Sequence, residues 1–530
     1  MKPKIIKILL FVFWGGVSLS AQDFSNQMFL NRVEKSRNVW AIVRYHSVKT
    51  RVDWNQEFKF LYELSEKNKN SERFELELNK WVNKNLVKSN FQNSFVCSSA
   101  GANIDSLLSA YIPNYQFNGK YSNASLFDEK SVVPLYFSTE EKSVTALPEL
   151  WERVLSLTKI EYYIRYFYPY YSGLELYWAS WCRSYLLAFM SAPTAELYYS
   201  YIQYLLSTIS DGHFGLHSKK NSEKIFFAPF RTRVNSAFAV IEKVDKQGYS
   251  RNLDLQIGDT IVEINGVEME NHIRYYAGFT PHSNPSNLYK RLDSKLFSDS
   301  LQVMSVTKMR NGQKTVTTIP LLAVSRYTID YDSVSYELLS DSVAWVDLGL
   351  LKRFEVDGLF QQISEVKYLI LDARSYPNAT IDLLCSWLMP QSEPFVIFEQ
   401  MSQNRFGEFC IKDTVFTSFQ SRNPFLGRLI LLTDAGTVSQ GEYTILALKQ
   451  HPNAIQIGTP TGGTLAYTTL FHLPGGVTCR MPVMSFNSPY KRYSQQKGIP
   501  PDVFSEIIFT KNDVKKIIEL SNSFYSTTTK

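Results

Sequence analysis

The chain has 530 residues, and at ~150 residues per domain that is enough for three or four domains. Hydrophobic residues make up 44% and charged residues 20%, a balance that excludes a disordered chain, and 21 Pro with 24 Gly are too few for a fibrous one. The formal net charge is +6, half of it from Lys2, Lys4 and Lys7, so charge gives no support to nucleic-acid binding.

Residues 1–21 begin with those lysines, continue through an apolar stretch at 8–17 and end on Ser18, Ser20 and Ala21, the pattern of a cleaved secretory signal. The stretch is well short of the roughly 20 residues that cross a bilayer, and no later segment is long and apolar enough, so no stable membrane span is expected after cleavage. Residues 22–147 form an N-terminal helical and mixed region, and 148–225 a second helical unit. The two share a pattern: an apolar helical stretch runs into Arg44-Tyr45 and Arg165-Tyr166, a tryptophan follows at Trp54 and Trp178, and a further helix-period stretch follows at Phe74, Leu78, Trp81 and at Tyr198, Ile202, Leu205. This reads as a duplicated helical unit.

Residues 226–325 change to short strands, expected at 237–244, 260–264, 303–309 and 315–319, with Asn311-Gly312 as a hairpin turn. Within them Gly258-Asp259 and the Asn265-Gly266 turn resemble the corresponding elements of PDZ domains, which bind extended peptides at a sheet edge. Residues 326–510 alternate strands (343–348, 368–372, 395–398, 429–433) with helices (356–363, 381–388 and one from about 439), an α/β layer, and 511–530 close the chain as a helix and tail. The fold class expected is multidomain α+β: N-terminal helices, a PDZ-like β-rich module and a C-terminal α/β catalytic domain of the ClpP/crotonase kind.

The most informative segment is 429–443. A buried strand turns at Asp434-Ala435-Gly436, and Ser439 then opens a helix. A serine there is a potential nucleophile, because the free N–H groups and positive dipole end of a helix stabilise an oxyanion. With Glu442 three residues on, it is equally a Ser-x-x-Glu capping box.

That segment, the PDZ-like module and the strand ending in Asp372-Ala373-Arg374 together resemble the C-terminal-processing (tail-specific) serine peptidases and their tricorn-core relatives, over roughly 150–510. The resemblance implies that Ser439 is the nucleophile, that the N–H of Gln440 forms one half of the oxyanion hole, and that Asn378 or Ala379 supplies the other half. The tail-specific branch uses a lysine base in a turn matching 458–464, where this chain has Thr464. A hydroxyl is not a base near neutral pH, so another acceptor is required. The tricorn-like branch uses a histidine, and Ser210-Asp211-Gly212-His213-Phe214 resembles that site, which makes His213 the expected base and His217 the less favoured choice. Tricorn-like enzymes carry a serine before the histidine and a late carboxylate. Here Gly212 and Gln495 stand in those places, and Asp211, Glu442 and Gln495 are the candidates for orienting the base. Asp372 and Arg374 read as a structural pair.

Five scattered cysteines lack metal-ligand spacing, and zinc-peptidase, phosphate-loop and dinucleotide motifs are absent, so no metal or cofactor is expected. The function expected is an exported serine endopeptidase acting on peptides or unfolded proteins in the periplasm or at the cell surface of a Gram-negative bacterium. The alternative, motivated by Thr464, Gly212 and Gln495, is a catalytically inactive peptide-binding scaffold of the same fold.

Overall fold

The structure is a computed structural model that describes residues 21–46, 52–85, 147–218, 225–244, 253–323, 334–363, 365–401, 407–418, 424–490, 495–507 and 509–528. The signal-like residues 1–20 and Cys97 lie outside them. The chain divides into two compact units, one of residues 1–120 with 149–162 and the other of 121–148 with 163–530.

In the first unit, helices α1 (Ala21–His46), α2 (Trp54–Lys67) and α3 (Ser71–Asn85) bury Trp40, Val43, Leu61, Phe74, Leu78 and Trp81. These recur at helical spacing, which is why each helix has one apolar face. Helix α4 (Leu150–Phe167) begins in this unit, where the buried Arg37 guanidinium bonds Glu161 at 2.6 Å and Thr158 at 2.8 Å. Together these partners offset the cost of desolvating the charge.

In the second unit, α5 (Trp178–Ser191) and α6 (Ala195–Ser207) follow. Trp54 opens α2 and Trp178 opens α5, so the repeated sequence pattern falls on matching helix starts. Strand β1 (Gly215–Ser218) comes next, and β2 (Phe226–Phe227) begins the β-rich module. There β3 (Phe230–Val234), β4 (Ala239–Val244), β5 (Thr260–Ile264), β6 (Val267–Glu268), β8 (Val303–Arg310) and β9 (Gln313–Pro320) form an antiparallel sheet, while β7 (Ser298–Asp299) pairs with β2. Helices α7 (Met269–Ala277) and α8 (Pro285–Leu296) pack on it over a core that includes Phe230, Ile261, Leu292, Leu296 and Val306. Both Asn-Gly turns adopt positive φ at each residue, 49° and 74° at Asn265-Gly266 and 50° and 79° at Asn311-Gly312, as the tight hairpin geometry demands.

The last part contains two sheets. One runs β10 (Tyr336–Ser340), β11 (Val343–Asp347), β12 (Tyr368–Asp372), β15 (Arg428–Thr433), β16 (Ala454–Gly458), β19 (Val503–Phe504), parallel except for β10. Helices α9 (Val356–Gln362), α10 (Ile381–Leu388) and α11 (Gln440–Leu448) contribute to the core on one face, and α12 (Val514–Thr528) to the core on the other. The apolar runs of β12 and β15 follow from this burial on both faces. The second sheet is antiparallel, of β13 (Pro394–Met401), β14 (Phe409–Phe416), β17 (Ala466–Leu473) and β18 (Val477–Asn487). Its partner β1 pairs Gly215 with Arg480, which draws the turn at 211–214 into the C-terminal domain.

Candidate active site

The site has two arms. In the first, β15 ends at Thr433 and the chain turns before α11. Asp434 Oδ1 accepts the N–H of Gly436 at 2.7 Å, Thr437 Oγ1 donates to Ala373 O at 2.9 Å, and Ser439 N–H donates to Thr464 O at 2.7 Å. These bonds hold Ser439 at φ 52°, ψ −113°. An ordinary N-cap is extended, and a non-glycine residue in this region costs ~1–3 kcal/mol, which the surrounding bonds must over-determine. Gln440 is the first residue of α11, where N–H groups have no acceptor within the helix.

Glu442, the other half of the capping box, is fully buried. Its carboxylate accepts from Thr461 Oγ1 at 2.6 Å, Gly463 N at 2.9 Å, Thr464 N at 2.7 Å and Ser439 N at 3.3 Å. Burial pushes its pKa up to about 7, while these donors pull it back down. Glu442 therefore ties the 461–464 loop to the start of α11, with no bond to His213 among the described residues.

The turn 374–380 lies against this helix start, with Pro377 Cδ near Gly441. Asn378 N–H donates to Leu348 O at 3.2 Å, and its side-chain amide donates to Gly349 O and Leu351 O, so Asn378 is committed to fastening the turn. Ala379 is exposed beside it. Arg374 makes a two-pronged pair with Asp372 at 2.8 and 2.6 Å and donates to Phe509 O, which fixes the end of β12.

In the second arm, α6 ends at Ser207 and a short turn carries Asp211 and His213. Asp211 is fully buried. Its Oδ1 accepts the backbone N–H of His213 at 2.9 Å and lies 3.0 Å from His213 Nδ1, while its Oδ2 accepts from Tyr168 Oη at 3.1 Å and Gln495 Nε2 at 2.6 Å. Facing a carboxylate, Nδ1 is the ring nitrogen placed to donate, and in the tautomer this contact selects the lone pair is at Nε2. That Nε2 is buried with no hydrogen-bond partner, so the bond to Ser439 Oγ is not made in this structure. Gln495 is itself oriented, because its Oε1 accepts Leu465 N–H at 2.6 Å. Burial first, then the neighbouring Asp211, holds the Tyr168 phenol well above its ordinary pKa and keeps it a donor. His217 sits in β1 opposite Thr478.

The arms meet through Thr464. Its carbonyl accepts from Ser439 N–H, its Oγ1 lies 2.8 Å from Ser283 Oγ, and Ser283 Oγ accepts Gly212 N–H at 3.0 Å. The residue before His213 is thus three hydrogen bonds from the backbone of Ser439. Sequence reasoning missed Tyr168 and Ser283. The only signal for Tyr168 was its place in the aromatic run 166–171, which says nothing about what its hydroxyl meets.

Among the described residues no group of three or more His, Cys, Asp or Glu is placed to hold a metal ion, and no helix is long and apolar enough to cross a membrane. Residues 351–505 match the model of peptidase family S41. Mature CPAF aligns with 71% of this chain and 98% of its own at a TM-score of 0.55 and 11% identity, and CPAF complexed with lactacystin with 71% and 97% at 0.54 and 11%; at that identity the likeness establishes the fold alone. No curated protein matches the chain.

Proposed function

The chain belongs to peptidase family S41, the tail-specific and tricorn-like serine peptidases acting on peptide or protein substrates, and from that membership we propose that Ser439 is its nucleophile and His213 its general base. One observation supports this assignment above the others. An imidazole locked through Nδ1 onto a buried carboxylate holds an unpartnered Nε2, and hydrogen bonds connect its turn to the segment that holds a strained serine.

In the proposed reaction Nε2 takes the Ser439 Oγ proton as the hydroxyl attacks the scissile carbonyl. The imidazolium that forms is stabilised by Asp211, then returns the proton to the leaving amine. Water deacylates the serine by the same route. The N–H of Gln440 receives the oxyanion, aided by the dipole of α11, with Ala379 as second donor because the Asn378 N–H is bonded to Leu348. Asp211 orients the base directly and Gln495 through it, whereas Glu442 serves the nucleophile's arm. Catalytic hydrogen bonds commonly tighten only when substrate is bound, which accommodates the open Nε2.

The finer fold reading is a ClpP/crotonase-like catalytic domain with the 226–325 module as a PDZ-like unit that grips chain termini. The signal-like residues 1–21 and the family support export, to the periplasm or cell surface.

The test is a fluorophosphonate probe on the purified protein. Ser439 is labelled, labelling is lost in Ser439→Ala, and it is strongly reduced in His213→Ala. Equal labelling of wild type and His213→Ala rejects the base. No labelling of wild type, with a peptide still bound, replaces the enzyme with the inactive scaffold.

A further inference from the structure

Helix α8 belongs to the β-rich module, yet its N-terminal end and the two residues before it are spent on the active-site loops. Asn284 Nδ2 donates to Gly462 O at 3.0 Å and Gln496 O at 2.9 Å, while its Oδ1 caps the helix by accepting Asn287 N–H at 2.9 Å. Lys290 Nζ pairs with Asp434 Oδ2 at 2.9 Å, on the turn before Ser439. Both peptide groups flanking Gly212 are bonded from this same segment. Gly212 N–H donates to Ser283 Oγ, and Gly212 O accepts from Arg291 Nη1.

The hydroxyls are linked in series. Ser283 Oγ accepts from Gly212 N–H and lies 2.8 Å from Thr464 Oγ1, a pair in which either hydroxyl can donate, and Thr464 Oγ1 also reaches Gly462 O at 3.4 Å. Ser283 and Thr464 are both buried, where a hydroxyl without a partner would be costly. Packing closes the arrangement: a Cβ on Gly212 would fall 2.6 Å from Arg291 Nη1 and 2.8 Å from Thr464 Oγ1. A side chain at position 212 would force Arg291 and the Thr464 hydroxyl, on the loop bonded to Ser439, to shift.

We infer that Ser283 and Thr464 are positioning residues of the proteolytic reaction: their paired hydroxyls bracket Gly212 and so fix the Asp211–His213 pair against the loop that holds Ser439. The inference rests on the proposed roles of Ser439 and His213. It gives Thr464 a task unrelated to proton transfer, namely holding the imidazole of another segment in register.

Thr464→Val keeps the shape and removes the hydroxyl, and Ser283→Ala leaves Gly212 N–H without its acceptor. A displacement of the base of about 1 Å costs roughly 100-fold in rate, so each variant is expected to label with fluorophosphonate roughly 10- to 100-fold more slowly. Thr464→Ser and Ser283→Thr, which restore the hydroxyl, recover most of that rate. In a His213→Ala background Thr464→Val changes nothing further, because the base it positions is gone. An equal fall in both backgrounds overturns the inference, as does failure of the serine and threonine rescues.

A second readout does not depend on activity. In the full chain carrying Ser439→Ala, Ser283→Ala raises early deuterium uptake in the peptide containing residues 208–214, and unchanged uptake overturns the bracket. If wild type is not labelled at all, the proteolytic reading fails and this exchange measurement still decides whether the bracket holds the turn. Should Ser283→Ala fail to fold, Thr464→Val is measured in the same way and judged by the same uptake.

Discussion

The two arms of the site are built differently. The arm of the proposed nucleophile is one stretch of chain: β15, its turn, Ser439, α11 and the 461–464 loop lie close in sequence, and Glu442, three residues after Ser439, ties them together. The arm of the proposed base is assembled from far apart, with Tyr168 from beyond α4, Asp211 and His213 from beyond α6, and Gln495 from after β18. The first arm is fixed by local geometry and stores its strain in one residue. The second depends on tertiary packing and keeps its ring in place through a single buried carboxylate.

This difference is open to test, beginning with the base's arm. His213→Ala should lower peptide cleavage by about 100- to 10,000-fold, the usual worth of a positioned general base, and cost ~1–3 kcal/mol of stability because the buried Asp211 loses its Nδ1 donor. Steady-state kinetics and thermal unfolding check this, and cleavage within a factor of two of wild type would leave the arm without its chemistry.

Asp211→Asn comes next. The amide retains an acceptor but brings an NH2 among the Tyr168, Gln495 and His213 donors, so it is expected to reduce kcat by on the order of 100-fold and to cost ~1–3 kcal/mol of stability from unsatisfied buried groups. Guanidinium unfolding read beside kcat separates the two effects.

The nucleophile's arm predicts a pH effect. Burial raises Glu442 to about 7 from its ordinary 4.5, so the native state binds this proton more tightly than the unfolded chain. The associated stability is fully present below about pH 4.5 and is lost as pH rises through about 7. Wild type should therefore lose more stability than Glu442→Gln between pH 5 and pH 8, a difference of a few kcal/mol at most in denaturant titrations. Parallel pH curves for the two proteins would show that Glu442 does not titrate in this window.

The smallest effect is expected from Tyr168→Phe. It removes one of the bonds to Asp211 and leaves those from Gln495 and His213, so a loss of ~1 kcal/mol and a change in kcat of only a few-fold are expected. A loss as large as that of Asp211→Asn would make the base's arm a cooperative network in which the carboxylate is not the dominant member.

Legibility follows the same division. The strands at 260–264 and 368–372 and the helix at 381–388 were readable to the residue, because apolar alternation and buried runs mark them in the sequence. The Asn-Gly turns were readable because positive φ selects those residues. The antiparallel sheet of β1, β13, β14, β17 and β18 was largely missed, since its β1–β18 and β13–β18 pairings join distant segments and β14, exposed along most of its length, shows no buried run. Thr464 could be recognised as the absence of a lysine, but its bond to Ser283 could not.

The sequence by itself determined the local chemistry: a serine at the strand-to-helix turn, with Glu442 three residues on, and a histidine two residues after an aspartate. Those features lie within a few bonds of one another, where spacing dictates geometry. Tertiary structure alone decided that Asp211 rather than Glu442 faces the imidazole, that Gln495 backs it, that Asn378 is bonded to Leu348 and that Ser283 reaches between the arms. Such partners are selected by which buried polar groups lack a mate once the sheets have packed, and one-dimensional spacing does not contain that information.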